Sequence, residues 1–297
     1  GVFVADHPHP AAYASARWTE FKHLSDAQPG ASHLSDLGSN RYDFWRVALR
    51  EFRSHELAGI GSRGFRTAYL QHRRSPESPA RAHSLELDVL SETGVVGFAL
   101  IAAALALIAA TFAVRARSEL LSAGVLGAFA CWLAQASVDW TWTFPAVGLL
   151  LFTLAGFGAA RDDAPPLPRA VGLPLAAAAA ALAVGAFGLP WLAARYVDAA
   201  VANRGDATAE LRHARALDPV SLDPYYAQWA LAPTAGAGIA PLAQALRNEP
   251  RSVDLRVELG RQYRLAGERG KARRLLRSAL ALDPGDPAIL SELRAAR

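Results

Sequence analysis

The sequence of 297 residues contains no methionine, a single cysteine and only two lysines. The lone cysteine, Cys131, excludes a disulfide-stapled domain and a cysteine-based zinc site. Because translation begins at methionine, we expect that residue 1 is not the natural N-terminus and that further segments precede it. The other basic residues are arginines, and they form neither a long basic run nor an aromatic RNA-binding motif. We therefore expect no nucleic-acid partner.

Charged residues are scarce between positions 94 and 194, which hold only 4 of the 31 basic residues and 4 of the 27 acidic ones. Four uncharged runs fill this region, at 94–114, 120–138, 144–160 and 170–194. At ~1.5 Å per residue, the first run would extend about 31 Å as a helix, close to the thickness of one hydrocarbon core. Four such runs in succession favour membrane-spanning helices, and they divide the chain into 1–93, 94–194 and 195–297.

The connectors between these runs predict their orientation. Two connectors, 115–119 and 161–169, each carry two arginines, whereas 139–143 carries no basic residue. Since basic residues are enriched in cytoplasmic loops, we expect the first two connectors in the cytoplasm. The segment 1–93 and the residues after 194 would then both lie outside.

Prolines recur in the C-terminal third at positions 219, 250 and 284, separated by 31 and 34 residues. Such spacings are typical of tetratricopeptide repeats, in which small residues let paired helices approach and proline ends each second helix. The matching positions are Ala207, Leu211 and Ala214 in the first unit, Leu242 and Ala245 in the second, and Leu259, Gly260, Tyr263, Ala272, Leu276 and Ala279 in the third. The repeats would either bind a protein partner or form a structural cap.

The N-terminal third holds most of the residues suited to chemistry. Apolar residues at 45, 48, 49 and 52 predict an amphipathic helix over 41–55. The following string, 59–64, matches G-x-G-x-x-G, but a helix precedes it and no βαβ pattern surrounds it. We therefore expect a tight glycine loop whose backbone approaches a neighbour, and not a dinucleotide site. His7 and His9 lack a third ligand at a recognisable spacing, so we expect no metal.

Two motifs in this third carry a specific resemblance. The first is Arg41-x3-Trp45-x2-Ala48-x3-Phe52-x2-His55-x-Leu57-x-Gly59-Ile60-Gly61-x2-Gly64-Phe65, and the second is His83-Ser84-x2-Leu87-x4-Glu92-x-Gly94-x2-Gly97. Together they resemble the bacterial O-antigen ligase and polymerase family over about residues 41–160. Ser84 departs from the asparagine of many members, and His55-Glu56 replaces the more usual His-Pro.

The resemblance implies further membrane spans upstream and the transfer or polymerisation of glycans held on undecaprenyl pyrophosphate, with neither a metal nor another cofactor. His83 aligns with the family's functional histidine, and an imidazole with a pKa near ~6.5 suits deprotonation of a sugar hydroxyl. Arg41 matches the family's loop arginine, which would hold the departing pyrophosphate. Arg63, Arg66 and Arg81 are nearby candidates for binding the substrate.

We therefore predict an all-α protein of the bacterial inner membrane: a polytopic helix bundle with an extracytoplasmic helical loop and a C-terminal tetratricopeptide-like repeat domain. The resemblance implies a ligase-type glycosyltransferase that transfers a lipid-linked glycan to a lipid or protein acceptor. A polymerase of the same family, or a non-catalytic scaffold or transporter, is the alternative. Trp140 and Trp142 either stack on sugar rings or anchor the chain at the membrane interface.

Overall fold

The structure of the chain is a computed structural model, and it describes residues 10–22, 40–159, 168–203 and 205–297. Every regular element in these ranges is a helix, which confirms the predicted all-α class. The chain divides into two compact units, Gly1–Ala164 and Pro165–Arg297. His7 and His9 lie outside the described residues.

The first unit begins with three polar helices, α1 (Pro10–Lys22), α2 (Arg41–Ser54) and α3 (Gly64–His72). The predicted amphipathic helix is thus confirmed as α2. Its buried residues are Asp43, Phe44, Val47 and Ala48. Leu49, which the apolar spacing assigned to the same face, is instead 37% exposed.

The buried face of α2 includes a carboxylate. Asp43 accepts hydrogen bonds from Arg46 Nε at 2.9 Å, from the Tyr69 hydroxyl at 3.0 Å and from the backbone N–H of Arg74 at 2.8 Å. A buried charge is tolerated only when it is paired and hydrogen-bonded in this way. These bonds join α2 to α3 and to the loop that follows it.

The apolar helices of the first unit follow in sequence. They are the long helix α4 (Leu85–Arg115), α5 (Leu120–Ala136) and α6 (Pro145–Ala159), with a 3₁₀ turn (Thr141–Thr143) between the last two. The first three uncharged runs are therefore helical. By length and hydropathy α4 could cross a membrane, whereas α5 and α6 are shorter apolar helices. Four membrane crossings stay a prediction.

These three helices pack together through a small interface. Phe112, Val125 and Ala155 form a buried cluster contributed by one residue from each helix. At one end of the group, Arg115 Nη1 donates to the backbone carbonyls of Gly158 at 3.1 Å and Ala159 at 3.2 Å, which satisfies the carboxyl end of α6. Large apolar side chains elsewhere on the helices are exposed in this chain, which suits an apolar environment around them.

The second unit opens with one helical run of 33 residues, Arg169–Val201, which is also long and apolar enough to cross a membrane. It consists of α7 (Arg169–Ala183), a π-helical turn (Val184–Gly188) and α8 (Leu189–Val201). Pro190 is the second residue after the π-helical turn, and proline cannot donate the backbone hydrogen bond that a regular α-helix needs. The backbone therefore changes its pattern there without ending the helix.

The predicted repeats follow this run. They comprise α9 (Ala207–Leu217), α10 (Asp223–Ala230), α11 (Ala235–Asn248), α12 (Val253–Leu265), α13 (Arg269–Leu282) and α14 (Pro287–Ala295). Signature residues of each unit are buried, including Leu211 in the first, Leu242 in the second and Leu276 in the third. A Cβ on Gly260 would lie 2.9 Å from Leu276 Cγ, so a small residue is needed where α12 meets α13.

Candidate functional site

His83 stands at the junction between the polar helices and α4. Ser84 is the N-cap of α4, and its hydroxyl accepts from the backbone N–H of Leu87 at 3.5 Å. The carboxylate of Asp88 accepts from the backbone N–H of Ala82 at 2.6 Å. His83 is held between these two contacts with a φ of 59°, in the left-handed region. A non-glycine residue in this region is uncommon, and such strain persists where the surroundings over-determine the backbone.

The His83 ring lies between two aromatic side chains from different parts of the first unit. Phe44 of α2 meets it edge-on, with ring centroids 5.1 Å apart. Trp140, from the connector between α5 and α6, is nearly parallel to it, at 28° and 6.3 Å between centroids. The imidazole is therefore fixed in orientation, and its side chain is only partly buried.

Three charged side chains surround the imidazole. Arg41, the first residue of α2, donates from Nη2 to Asp139 Oδ2 at 3.5 Å, and both side chains are about one quarter exposed, at 27% and 26%. Burial lowers the pKa of His83, and the positive charge of Arg41 lowers this pKa further. The negative charges of Asp139 and Glu77 oppose the shift. The net effect favours a neutral imidazole that can accept a proton.

Several polar atoms at this site are buried yet make no hydrogen bond with any residue that the structure describes. They are Asn40 Oδ1, Arg41 Nε, Trp45 Nε1 and Trp142 Nε1. Asn40 otherwise donates to Glu77 at 2.7 Å, and the Trp142 ring lies 5.4 Å below the Arg81 guanidinium. Because buried polar groups are normally satisfied, these atoms are candidates for contacts with a bound molecule.

The glycine loop of residues 55–61 docks onto α4 at a kink. Gly94 has a φ of 67° and interrupts the helical geometry. At this break the backbone N–H groups of Ile60 and Gly61 donate to the carbonyls of Ser91 and Glu92 at 2.9 and 3.0 Å, and Val95 donates to Glu56 at 2.7 Å. This arrangement confirms the expected tight glycine loop against a neighbouring backbone. Gly59 of the loop and Gly94 of α4 both lie at this contact, each with no room for a Cβ.

The same contact gathers charged groups around a second carboxylate. The Glu92 side chain is buried, and the backbone N–H groups of Arg63 and Phe65 act as donors toward it. The positive charges of Arg63 and Arg81 also act on it. These groups lie where the glycine loop meets α4, next to the segment that holds His83.

The five predicted site residues thus fall into separate groups. The structure brings His83 and Arg41 together, with Asp139 between their elements. Arg63 and Arg81 instead surround Glu92. Arg66 lies on α3 with a partly buried side chain, and it is not among the charges that act on His83.

Asp139 and Glu77 are the residues around His83 that the motifs did not include. Asp139 is the only charged residue between Glu119 and Arg161, so an isolated carboxylate between two apolar runs was a usable signal. Glu77 lies in a polar, proline-containing stretch where nothing in the pattern distinguishes it from its neighbours. Among the residues that the structure describes, no group of three His, Cys, Asp or Glu residues is placed to hold a metal ion.

The fold and the site together define a class: a helical protein with apolar helices and a polar helical region in which a histidine and an arginine lie close together. Comparison with family models gives this class a specific assignment. The model described as O-antigen ligase matches residues 11–102, and a tetratricopeptide repeat model matches residues 253–297. These two matches support an O-antigen ligase family member with a tetratricopeptide-like tail.

This assignment supports a membrane glycosyltransferase-like role in O-antigen assembly and a lipid-linked glycan as the substrate. The family is a class of bacterial inner-membrane proteins, and the two long apolar helices fit insertion into a membrane. The repeat match indicates protein interaction through the tail. Searches of curated proteins and of solved structures find no significant match to the chain.

Proposed function

We propose that the protein is a ligase-type glycosyltransferase, in which His83 is the general base and Arg41 binds the pyrophosphate of a lipid-linked glycan. The juxtaposition of His83, Arg41 and Asp139 carries this proposal. We also assign Arg63, Arg66 and Arg81 to binding of the substrate, as a source of positive charge for the phosphates. In this assignment, the residue just before the N-cap of α4 is the base, and the first residue of α2 is the arginine.

The proposed step is a displacement at the anomeric carbon of the donor glycan. The acceptor hydroxyl loses its proton to the His83 imidazole as its oxygen bonds to the anomeric carbon. The bond from that carbon to the pyrophosphate oxygen breaks, and the electron pair leaves with undecaprenyl pyrophosphate. Arg41 stabilises the negative charge that develops there, because its guanidinium stays protonated and makes directional contacts with phosphate oxygens.

Asp139 has two effects in this scheme. Its ion pair with Arg41 holds the guanidinium in place before the donor binds. Its negative charge also opposes the lowering of the His83 pKa, which keeps the imidazole basic enough to accept a proton. The pyrophosphate would compete with Asp139 for Arg41, so donor binding and release of this carboxylate are expected to be linked.

We further propose the topology that the arginine-containing connectors predict. Connectors 115–119 and 161–169 lie in the cytoplasm, while segment 1–93, connector 139–143 and the repeats lie outside. This places His83 and Asp139 on the side of the membrane where the glycan donor is used. Labelling of a cysteine introduced into the repeats from the cytoplasmic side alone would contradict this topology.

The central experiment returns the full-length protein to a bacterial strain that lacks it, with either His83→Ala or Arg41→Ala. Both variants should reach the membrane at the normal level but fail to complete surface glycan. The matched controls are His213→Ala in the repeats and Arg53→Ala on the exposed side of α2, since both side chains are exposed. Normal surface glycan in both site variants would contradict the enzyme assignment and favour a scaffold or transporter.

Ligase and polymerase use the same chemistry and differ in the product. A ligase transfers one preassembled glycan to the final acceptor, whereas a polymerase lengthens the lipid-linked glycan by repeating units. In the complemented strain, a defect in attachment with normal chain lengths on the lipid carrier identifies a ligase. Shortened chains on the carrier identify a polymerase.

A further inference from the structure

Trp140 is an exposed aromatic side chain beside the proposed catalytic base. It is 44% exposed. One face of the indole lies toward the His83 ring, and the centroids of the Trp140 and Phe144 rings are 4.9 Å apart. Superposed rings in contact would lie ~3.5–4.0 Å apart. The 6.3 Å between the Trp140 and His83 centroids therefore leaves part of the indole surface uncovered.

The backbone around Trp140 is fixed by short-range contacts. The N–H of Trp140 donates to Asp139 Oδ1 at 2.6 Å, and the carbonyl of Trp140 accepts from the Thr143 hydroxyl at 2.8 Å. The other oxygen of Asp139 pairs with Arg41. The backbone that carries the indole is thus held by the same carboxylate that pairs with Arg41.

Polar groups occur close to Trp140 in the site. Asp139, which precedes it in the sequence, pairs with Arg41, and the buried Arg41 Nε and Trp142 Nε1 make no hydrogen bond within the described ranges. A pyranose ring fits such a surface, because its C–H groups can meet the negative face of an indole while its hydroxyls meet donors and acceptors at the rim. A lipid chain would use the face but leave the polar rim unsatisfied.

We propose that Trp140 is a sugar platform, a stacking surface for the pyranose ring of the acceptor whose hydroxyl is delivered to His83. We assign the platform to the acceptor and not to the donor, because Trp140 lies beside the proposed base His83, whereas the proposed function puts the donor phosphate at Arg41. This proposal rests on the proposed function and names the acceptor as a sugar. Trp140 acts here as a positioning residue for the acceptor.

The test measures transfer by the full-length purified protein, with acceptor titrated at saturating lipid-linked donor and donor titrated at saturating acceptor. Trp140→Ala should raise the acceptor KM about tenfold, while kcat stays within about twofold and the donor KM is unchanged. Trp140→Phe should give a smaller increase, because it keeps an aromatic face. The control is Trp191→Ala, another exposed tryptophan at 65%, which should leave both KM values unchanged.

An unchanged acceptor KM, or an equal increase in both KM values, would overturn the platform. So would a lower amount of Trp140→Ala in the membrane with normal kinetics, since that result identifies an interfacial anchor. The His83→Ala variant separates this proposal from the proposed function. If His83→Ala is fully active while Trp140→Ala raises the acceptor KM, the platform stands and the assignment of the base is wrong.

Discussion

Replacing Gly59 by alanine should separate the glycine loop from α4. Gly59 has a φ of +66°, and a Cβ there would fall well inside van der Waals contact of the Glu92 carbonyl group and of the Thr93 nitrogen. These atoms belong to the backbone of α4, so they cannot move aside as the end of a flexible side chain would. The alanine variant must therefore displace the loop.

The cost has two parts. An L-residue in the left-handed region costs ~1–2 kcal/mol. Displacement also breaks up to three backbone hydrogen bonds, from Ile60, Gly61 and Val95 to Ser91, Glu92 and Glu56 respectively. At ~0.5–1.5 kcal/mol net for each bond, loss of all three together with the strain should lower the free energy of unfolding by about 2.5–6.5 kcal/mol.

Gly61 supplies a matched control in the same loop. It also has a positive φ, +88°, but no atom lies within 4 Å of the position that its Cβ would occupy. Gly61→Ala should therefore cost only the backbone strain, ~1–2 kcal/mol. Both variants carry the backbone strain, but only Gly59→Ala also clashes with α4.

The assay is thermal unfolding of the solubilised protein, together with trypsin cleavage after Arg63, which lies in the same loop region. Gly59→Ala should lower the Tm by about 10 °C, and Gly61→Ala by about 3–5 °C. Cleavage at Arg63 should accelerate more in Gly59→Ala, because the loop opens more often. Equal shifts in the two variants, or no shift in Gly59→Ala, would refute the close approach of loop and helix.

The remaining predictions concern the charge around His83 and the repeats. Arg41 lowers the pKa of His83, and Asp139 raises it. Since a general base must be deprotonated, the acidic limb of the residual kcat/KM profile follows this pKa. The limb should therefore move to higher pH in Arg41→Gln and to lower pH in Asp139→Asn. Shifts in the same direction would contradict this arrangement. In the repeats, Gly260→Ala should lower the free energy of unfolding by ~1–3 kcal/mol, because its Cβ would clash with Leu276. Gly270→Ala has no atom within 4 Å of its Cβ and should leave this free energy unchanged or raise it by up to ~1 kcal/mol. Denaturant unfolding measures both. Equal effects of these two glycine variants would argue against the close contact of α12 and α13.

Features set by local sequence were predictable. The 3.6-residue spacing in 41–55 predicted α2, and the observed helix Arg41–Ser54 differs by one residue at its end. The uncharged runs predicted apolar helices, because a helix built from such a run has an apolar surface whatever surrounds it. The spacing of the prolines predicted the repeats, since each unit must bury the same small and large positions against its neighbour.

Features set by contacts between distant residues were not predictable in the same way. Hydrophobic spacing places charged residues outside, yet Asp43 is buried because its partners come from α3 and the following loop. The ion pair of Arg41 with Asp139 joins positions 98 residues apart. The roles of His83 and Arg41 came from a family resemblance. Their proximity to each other depends on how α2 and the 139–143 connector pack against the start of α4.

The junction between the apolar segment and the repeats illustrates the same distinction. Composition changes at 194, where the last uncharged run ends, but the helix continues through that position to Val201. Ala200 of α8 is buried with Leu211 of α9 and Ala227 of α10, so the end of this run is the first helix of the repeat packing. A single helix therefore contributes both apolar surface for a membrane and packing surface for the repeats. It follows that the repeats cannot rotate freely about a linker at 194, and any partner they bind would be held in a fixed orientation relative to α8.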